Sequence, residues 1–426
     1  MTNCISGLPN LQITLLNGNT INCKNLDTTP VPQEKVWNHV SDEDRISPLI
    51  SLHDSVCHGT SFIFTSRKLP KEKKTFLVSE LNRLIPEPYG INAFLTSGST
   101  GSPKIIIHSN NNLLKSAQKI LKHFPQLKEK KFHHIFPTNY MAGLLNNLIL
   151  PWISQSEIFL DNEFNPTSSL NLTRNSFTFS TEFAWLNPTM LKSLINASKY
   201  RSIPFPKWNF IFSATGPLLS DLKKDFSRLF KIPIFNTYGS TELLFISAEY
   251  KSLNFDSCGQ PLEKIQIKLT SSKEILVKTD TLAIHELQFD NKVGAYSLIT
   301  NNNSLFNNTH DVGDYISDSI LLHSRSDDIV VLNGVNYSLT EIEDFASKFP
   351  GIKHVCASAK YGGTEKDLVM FFEKEESETK LSEEEFFRYL KTFSSPILVP
   401  KKLIDISFPI SNNGKVDKFK LRNMTL

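Results

Sequence analysis

Apolar residues fall in short runs separated by amphipathic stretches. Ile105-Ile106-Ile107 precedes an amphipathic segment from Asn112 to Phe124, and Phe132 to Phe136 precedes Met141 to Trp152. That alternation predicts an α/β body. Farther on, Met190 to Ala197 reads as a helix, Phe210-Ile211-Phe212 as a strand, Leu218 to Phe230 as a helix capped by Ser220, and Ile234 to Tyr238 as a strand. From Gly259 the texture changes to short alternating strands, Ile265 to Leu269 and Glu274 to Lys278, between polar turns, which predicts a smaller antiparallel sheet. After Arg325-Ser-Asp-Asp328 a third texture begins. It predicts a helix from Leu339 to Phe349, strands at His354 to Ala359 and Leu368 to Phe372, and a helix from Ser382 to Phe393. The expected architecture is a large N-terminal α/β domain of mixed and parallel sheets with packed helices and a small antiparallel sheet, followed by a small α+β C-terminal domain.

Composition narrows the function. The 426 residues suit two or three domains, and 40% hydrophobic with 21% charged residues is ordinary for a soluble protein. A net charge of +3, with cations scattered among anions, gives no footprint for nucleic acid. The chain opens Met-Thr-Asn-Cys-Ile-Ser, with no basic and apolar leader, and no run reaches the roughly 18 apolar residues of a membrane span, so the expected location is the cytoplasm. The five cysteines, Cys4, Cys23, Cys57, Cys258 and Cys356, are widely spaced without a Cys-x-x-Cys pair and read as reduced bystanders. His133 and His134 are adjacent on a predicted strand, where side chains alternate, so they read as structural and not as a metal pair.

Chemistry concentrates in Thr96-Ser97-Gly98-Ser99-Thr100-Gly101-Ser-Pro-Lys104. Hydroxyls and small residues around two glycines let backbone and side-chain donors wrap a polyphosphate. The spacing is not that of a P-loop, and the proline before Lys104 blocks that helix start. Taken alone, such a segment also reads as a plain flexible turn.

This segment resembles the phosphate-binding signature of the adenylate-forming superfamily of acyl- and aryl-CoA ligases, peptide-synthetase adenylation domains and luciferases. Further strings follow in that family's order: Pro137-Thr-Asn-Tyr-Met-Ala-Gly143, Ser213-Ala-Thr-Gly-Pro-Leu218, Thr237-Tyr-Gly-Ser-Thr-Glu242, Cys258-Gly-Gln-Pro-Leu262, Val312-Gly-Asp314, Ser324-Arg-Ser-Asp-Asp328 and Asn413-Gly-Lys415. Together they cover about Asn92 to Lys418. The resemblance implies ATP and Mg²⁺ as cofactors. It implies ATP phosphates held by Thr96 to Gly101, with Lys104, Thr241, Glu242 and Lys415 as catalytic groups and Glu242 as the Mg²⁺ ligand. Ala214, Thr215, Gly216, Pro217, Tyr238 and Gly239 would surround adenine, and Asp314 and Arg325 would bind ribose or phosphate. Tyr140, Met141, Gly143 and Ser213 would line the acid pocket. The implied domains are 1–326 and a mobile lid, 327–426, turning about a hinge near Asp327.

The implied reaction forms an acyl-adenylate and pyrophosphate from a carboxylic acid, then passes the acyl group to a thiol with release of AMP. The thiol is CoA or the phosphopantetheine of an acyl carrier protein. Three features depart from the family: the segment before Thr96 is short, Tyr140 stands where many acyl-CoA ligases carry His, and Ile329 to Gly334 lacks the lysine often found after the hinge. Small and apolar pocket candidates point to an uncharged aryl or medium acyl acid. Two competing readings are an adenylation enzyme that loads a carrier protein, and a degenerate member that senses ATP or acyl-adenylate.

Overall fold

The computed structural model describes residues 11–22, 35–96, 104–164, 169–200, 206–216, 218–250, 257–290, 292–332, 335–362, 365–375, 382–409, 416, 418–422 and 424. The body is built on a nine-stranded mixed sheet. Its spatial order is Gln260–Pro261, Leu244–Ala248, Ile234–Ser240, Phe210–Ser213, Phe183–Leu186, Lys131–His134, Glu157–Leu160, Gln12–Leu15 and Thr20–Asn22. The six strands from Ile234–Ser240 to Gln12–Leu15 run parallel, and the outer pairs are antiparallel. Parallel strands covered on both faces need apolar residues throughout, which is why Phe183–Leu186 and Phe210–Ser213 are buried at every position.

A second sheet of six strands runs Ala295–Thr300, His285–Asp290, Lys104–Ser109, Ile91–Thr96, Ser61–Thr65 and Trp37–Ser41. The third sheet is the antiparallel one expected after Gly259, ordered Gln266–Leu269, Glu274–Lys278, Asn307–Ile316 and Ser319–Arg325. The architecture is therefore the mixed α/β body with a small antiparallel sheet.

Helix boundaries follow local chemistry. Ser109 caps the helix Asn110–His123, its side chain accepting from the Asn112 N–H at 3.2 Å. The helix Ser220–Phe230 lies within the expected Leu218 to Phe230, with Ser220 as its first residue and not its cap. Leu219 holds the cap position without a side-chain bond. Met141 to Trp152 forms two short α-helical turns flanking a π-helical one at Leu145–Ile149.

The residues after Asp328 build their own cores. Leu339, Ile342, Met370, Phe372, Phe386 and Leu390 pack together, and Cys356, Phe371, Phe408 and Leu421 form a second cluster on the other face of the strand pair. The elements are a hairpin, Ile329–Leu332 with Val335–Ser338, and a sheet of Ile352–Gly362, Glu365–Lys374 and Lys402–Asp405 with helices Leu339–Ala346 and Glu383–Leu390. Ser382 caps the helix Glu383–Leu390 through the Glu385 N–H.

Candidate functional site

The carboxyl ends of parallel strands are where open α/β sheets bind ligands. Two of the sequence strings end there: Ser213 closes Phe210–Ser213, and Tyr238 lies near the end of Ile234–Ser240. The Thr237 hydroxyl donates to the Ser213 carbonyl at 3.0 Å and fastens the two strand ends together. Thr215 follows with φ of 68°, a left-handed conformation unusual for a β-branched residue. Strain of this kind costs of order 1–3 kcal/mol and collects at ligand sites. Ala214 and Gly216 flank it, and Pro217 lies outside the described residues.

Next comes a distorted hairpin. The register between Ile234–Ser240 and Leu244–Ala248 shifts at Tyr238 and Gly239. A Cβ on Gly239 would stand 2.3 Å from the Leu244 carbonyl oxygen, so only glycine fits there. Leu244 itself takes φ of 61°. The turn presents Thr241 and Glu242, both partly exposed.

Tyr238 is buried and donates its hydroxyl to Asp311 Oδ2 at 2.6 Å. Arg325 Nη1 donates to the other oxygen of the same carboxylate at 3.3 Å. Burial and then the Asp311 charge hold the Tyr238 phenol well above its usual range. Asp311 is itself raised, by burial first and by the nearby Glu242 carboxylate as an opposing like charge, against the pull of Tyr238 and Arg325. Tyr238, Asp311, Arg325 and Glu242 thus form one electrostatic neighbourhood.

Asp314, the expected ribose partner, lies elsewhere. On the strand Asn307–Ile316, Asp314 pairs with Lys273 at 2.8 Å and His323 at 2.9 Å, while Asp311 pairs with Arg325. These two partners hold its carboxyl below the usual range. Asp311 is the carboxylate beside Tyr238 and Arg325, and sequence reading passed over it. Alternation alone could not have found it, because the strand is bulged between Asn308 and Val312 and His310 takes φ of 60°.

The phosphate-binding segment is bracketed. Thr96 and Lys104 are partners across the antiparallel pair Ile91–Thr96 and Lys104–Ser109, while Ser97, Gly98, Ser99, Thr100 and Gly101 lie outside the described residues. His108, on that second strand, is fully buried and its Nε2 lies 2.7 Å from the Thr241 carbonyl oxygen. A carbonyl only accepts, so Nε2 carries the proton. Burial pushes the imidazole pKa down to about 4, keeping it neutral at physiological pH.

In the gate segment, Gly143 backs onto Pro137, whose carbonyl oxygen would lie 1.8 Å from a Cβ at that position. Tyr140 precedes the short helix Met141–Leu144 and Met141 is buried. Burial raises the Tyr140 phenol. A residue the sequence did not single out, Arg45, donates from Nη2 to the Phe136 carbonyl at 2.6 Å beneath this segment. His133 belongs to a buried network with Asp161, Asn175, Thr181 and Trp208. That matches its structural reading. Asp327 sits in the single turn Ser326–Asp328, and Lys415 lies outside the described residues.

Among the described residues no three His, Cys, Asp or Glu side chains gather as a metal site. Mg²⁺ commonly takes one or two protein carboxylates and completes its shell with substrate phosphates and water, and Glu242 beside Asp311 suits that mode. No helix among the described residues is long and apolar enough to cross a membrane.

The chain is 22% identical over 343 residues to the 2-succinylbenzoate–CoA ligase of Staphylococcus epidermidis, covering 78% of this chain and 69% of that protein. It is 23% identical over 367 residues to the malonate–CoA ligase of Arabidopsis thaliana, covering 77% and 59% respectively. Its fold matches ATP-bound MatB from Rhodopseudomonas palustris with a TM-score of 0.79 at 16% identity, over 98% of this chain and 96% of that one. It also matches O-succinylbenzoate coenzyme A synthetase from Bacillus subtilis, in complex with ATP and magnesium ion, with a TM-score of 0.77 at 17% identity, over 97% and 96%. The AMP-binding enzyme family matches residues 53–280, more than half of the chain, and this protein belongs to that family.

Proposed function

We propose that this protein activates a carboxylic acid with ATP and transfers the acyl group to CoA. The observation that carries the reading is the array of Tyr238, Asp311, Arg325 and Glu242 at the carboxyl ends of the parallel strands, one turn from the strained Thr215. Tyr238 stacks on or abuts adenine, and Asp311 accepts from the ribose hydroxyls while Arg325 holds its second oxygen. Glu242 would hold Mg²⁺, and the ion would supply charge neutralisation at the transferring phosphorus.

In the first step a carboxylate oxygen of the acid attacks the α-phosphorus, and the bond to pyrophosphate breaks. Thr96 and Lys104 bracket the donors that hold the phosphates, and Lys415 neutralises charge that develops in the transition state. In the second step the thiolate attacks the acyl carbon and AMP leaves with the anhydride oxygen. The unit after Asp328, with its own core, turns about Asp327 between the steps. CoA is the preferred acceptor because the two relatives are named CoA ligases. An acyl carrier protein is the other outcome, and a mass shift on such a carrier would reveal it.

The test is ATP-dependent pyrophosphate release with hydroxylamine as acceptor across aryl, short, medium and long acids. Release with one acid class, falling about 10²- to 10³-fold in Lys415→Ala, is the expected result. No release with any acid, from protein that binds ATP, overturns it.

A further inference from the structure

The strand Lys104–Ser109 and the helix Asn110–His123 form one continuous unit that starts at the exit of the phosphate-binding segment. Lys104, Ile106 and His108 share one face of the strand by alternation, and Ile105 and Ile107 pack on the other with Trp37, Ile63 and Leu77. Four buried polar side chains of this unit, His108, Asn112, Ser116 and Lys119, reach residues around the Glu242 turn.

His108 Nε2 donates to the Thr241 carbonyl at 2.7 Å, and Asn112 Nδ2 donates to the Leu282 carbonyl at 2.6 Å. The Phe245 N–H donates to the Ser116 hydroxyl at 3.2 Å, and Lys119 pairs with Asp280 at 2.5 Å. Asn112, Ser116 and Lys119 are spaced four and three residues apart, so they line one helix face. The segment they grip returns to the turn: the Ala283 N–H donates to the Glu242 carbonyl and the Ile284 N–H to the Ile107 carbonyl, each at 2.8 Å. His108 is the one side chain of the row that bonds the peptide between Thr241 and Glu242.

We propose that His108 is a positioning residue that sets the Thr241–Glu242 turn in register with the strand leading out of the phosphate-binding segment, so that the Glu242 carboxylate would be placed to hold Mg²⁺. The proposal rests on the reading of Glu242 as the Mg²⁺ ligand. His108 is fully buried, with its Nε2 on the Thr241 carbonyl. Its effect runs through the Thr241 carbonyl, whose loss of a buried donor frees the turn to move.

The test compares His108→Leu, which has no donor, with His108→Gln, which keeps one, and with Lys119→Met, which breaks the row at its far end. ATP binding is measured by calorimetry with Mg²⁺ and with EDTA, the Mg²⁺ requirement of pyrophosphate release is titrated, and thermal unfolding is recorded. The expected result is that His108→Leu loses about tenfold in the Mg²⁺-dependent gain of ATP affinity and needs about tenfold more Mg²⁺, the usual scale for a residue that orients a metal ligand. His108→Gln recovers most of this, and Lys119→Met lowers the melting temperature while leaving the Mg²⁺ dependence unchanged. A His108→Leu protein with the parent's Mg²⁺ dependence, or one matched by Lys119→Met, overturns the proposal. Should His108→Leu not fold, His108→Asn, with a shorter reach, carries the same comparison. A parent protein whose ATP binding ignores Mg²⁺ removes the Glu242 reading and this proposal with it, and the parent arm alone shows that.

Discussion

The Glu242 turn and the C-terminal unit are both fastened by polar side chains, but the balance of neutral and charged bonds differs. Around the turn, the bonds to Thr241, Glu242, Leu282 and Phe245 join backbone groups to neutral partners, and one ion pair, Lys119 with Asp280, closes the far end of the row. In the C-terminal unit four charged side chains hold one another. Arg422 bonds Asp328 at 2.5 Å and Glu343 at 3.4 Å, and Lys418 bonds Glu343 at 2.5 Å. Glu343 also accepts from the Ala357 N–H at 2.8 Å. Neutral bonds to backbone fix geometry with little dependence on pH or salt. A partly buried ion cluster centred on the buried Glu343 fixes which segments meet and is costly to break from that side. Here it joins Asp328, next to the proposed hinge, to the short helix Lys418–Arg422 that follows Lys415 in sequence.

The largest effect should come from Glu343→Ala, which leaves Arg422 and Lys418 without their shared carboxylate. We expect the C-terminal unit to lose about 3 kcal/mol of stability. Urea unfolding followed by a probe in that unit checks this, with ATP binding by the large body retained. Equal destabilisation of both regions would erase the contrast between them.

Within the large body, Asp311→Asn should lower pyrophosphate release about 10- to 100-fold, because it weakens the partner of both Tyr238 and Arg325. Asp314→Asn should stay within about twofold, its partners being exposed. Steady-state kinetics on both variants decide which aspartate serves the site, and the opposite ranking would return the role to Asp314.

Asp344 sharpens the pH side of the comparison. Burial, and then the adjacent Glu343 charge, raise its pKa to about 6 from 3.8. The folded state therefore prefers the protonated form, and stability falls as pH rises from about 4 to about 6. Asp344→Asn removes that cost. We expect it to stabilise the C-terminal unit by about 1–2 kcal/mol at pH 7.5 and by almost nothing at pH 4. Urea unfolding at the two pH values checks this, and an equal gain at both would show that ionisation is not the cause.

The smallest effect concerns the neutral region itself. His108 titrates near pH 4, so the pH profile of pyrophosphate release between pH 6 and 8 should be the same in His108→Gln and the parent. A shifted profile would mean that the His108 bond to the turn depends on its ionisation.

What the sequence determined by itself was local. The run from Thr96 to Lys104, Thr237 to Glu242 and the strand and helix periods depend on neighbours within a few residues, so alternation and motif order expose them. The family and the α/β architecture followed from that order. The tertiary structure decided which distant groups meet. Tyr238 bonds Asp311 across 73 residues and His108 bonds Thr241 across 133. The Gly-Asp string points to Asp314 because it is visible in one dimension, whereas the carboxylate that meets Tyr238 is set by pairing with Ser319–Arg325, where Asp311 lies opposite Arg325. Arg45, His108 and Glu343 stayed silent for the same reason: a buried polar residue reveals its role through the partner that satisfies it, and packing alone chooses that partner.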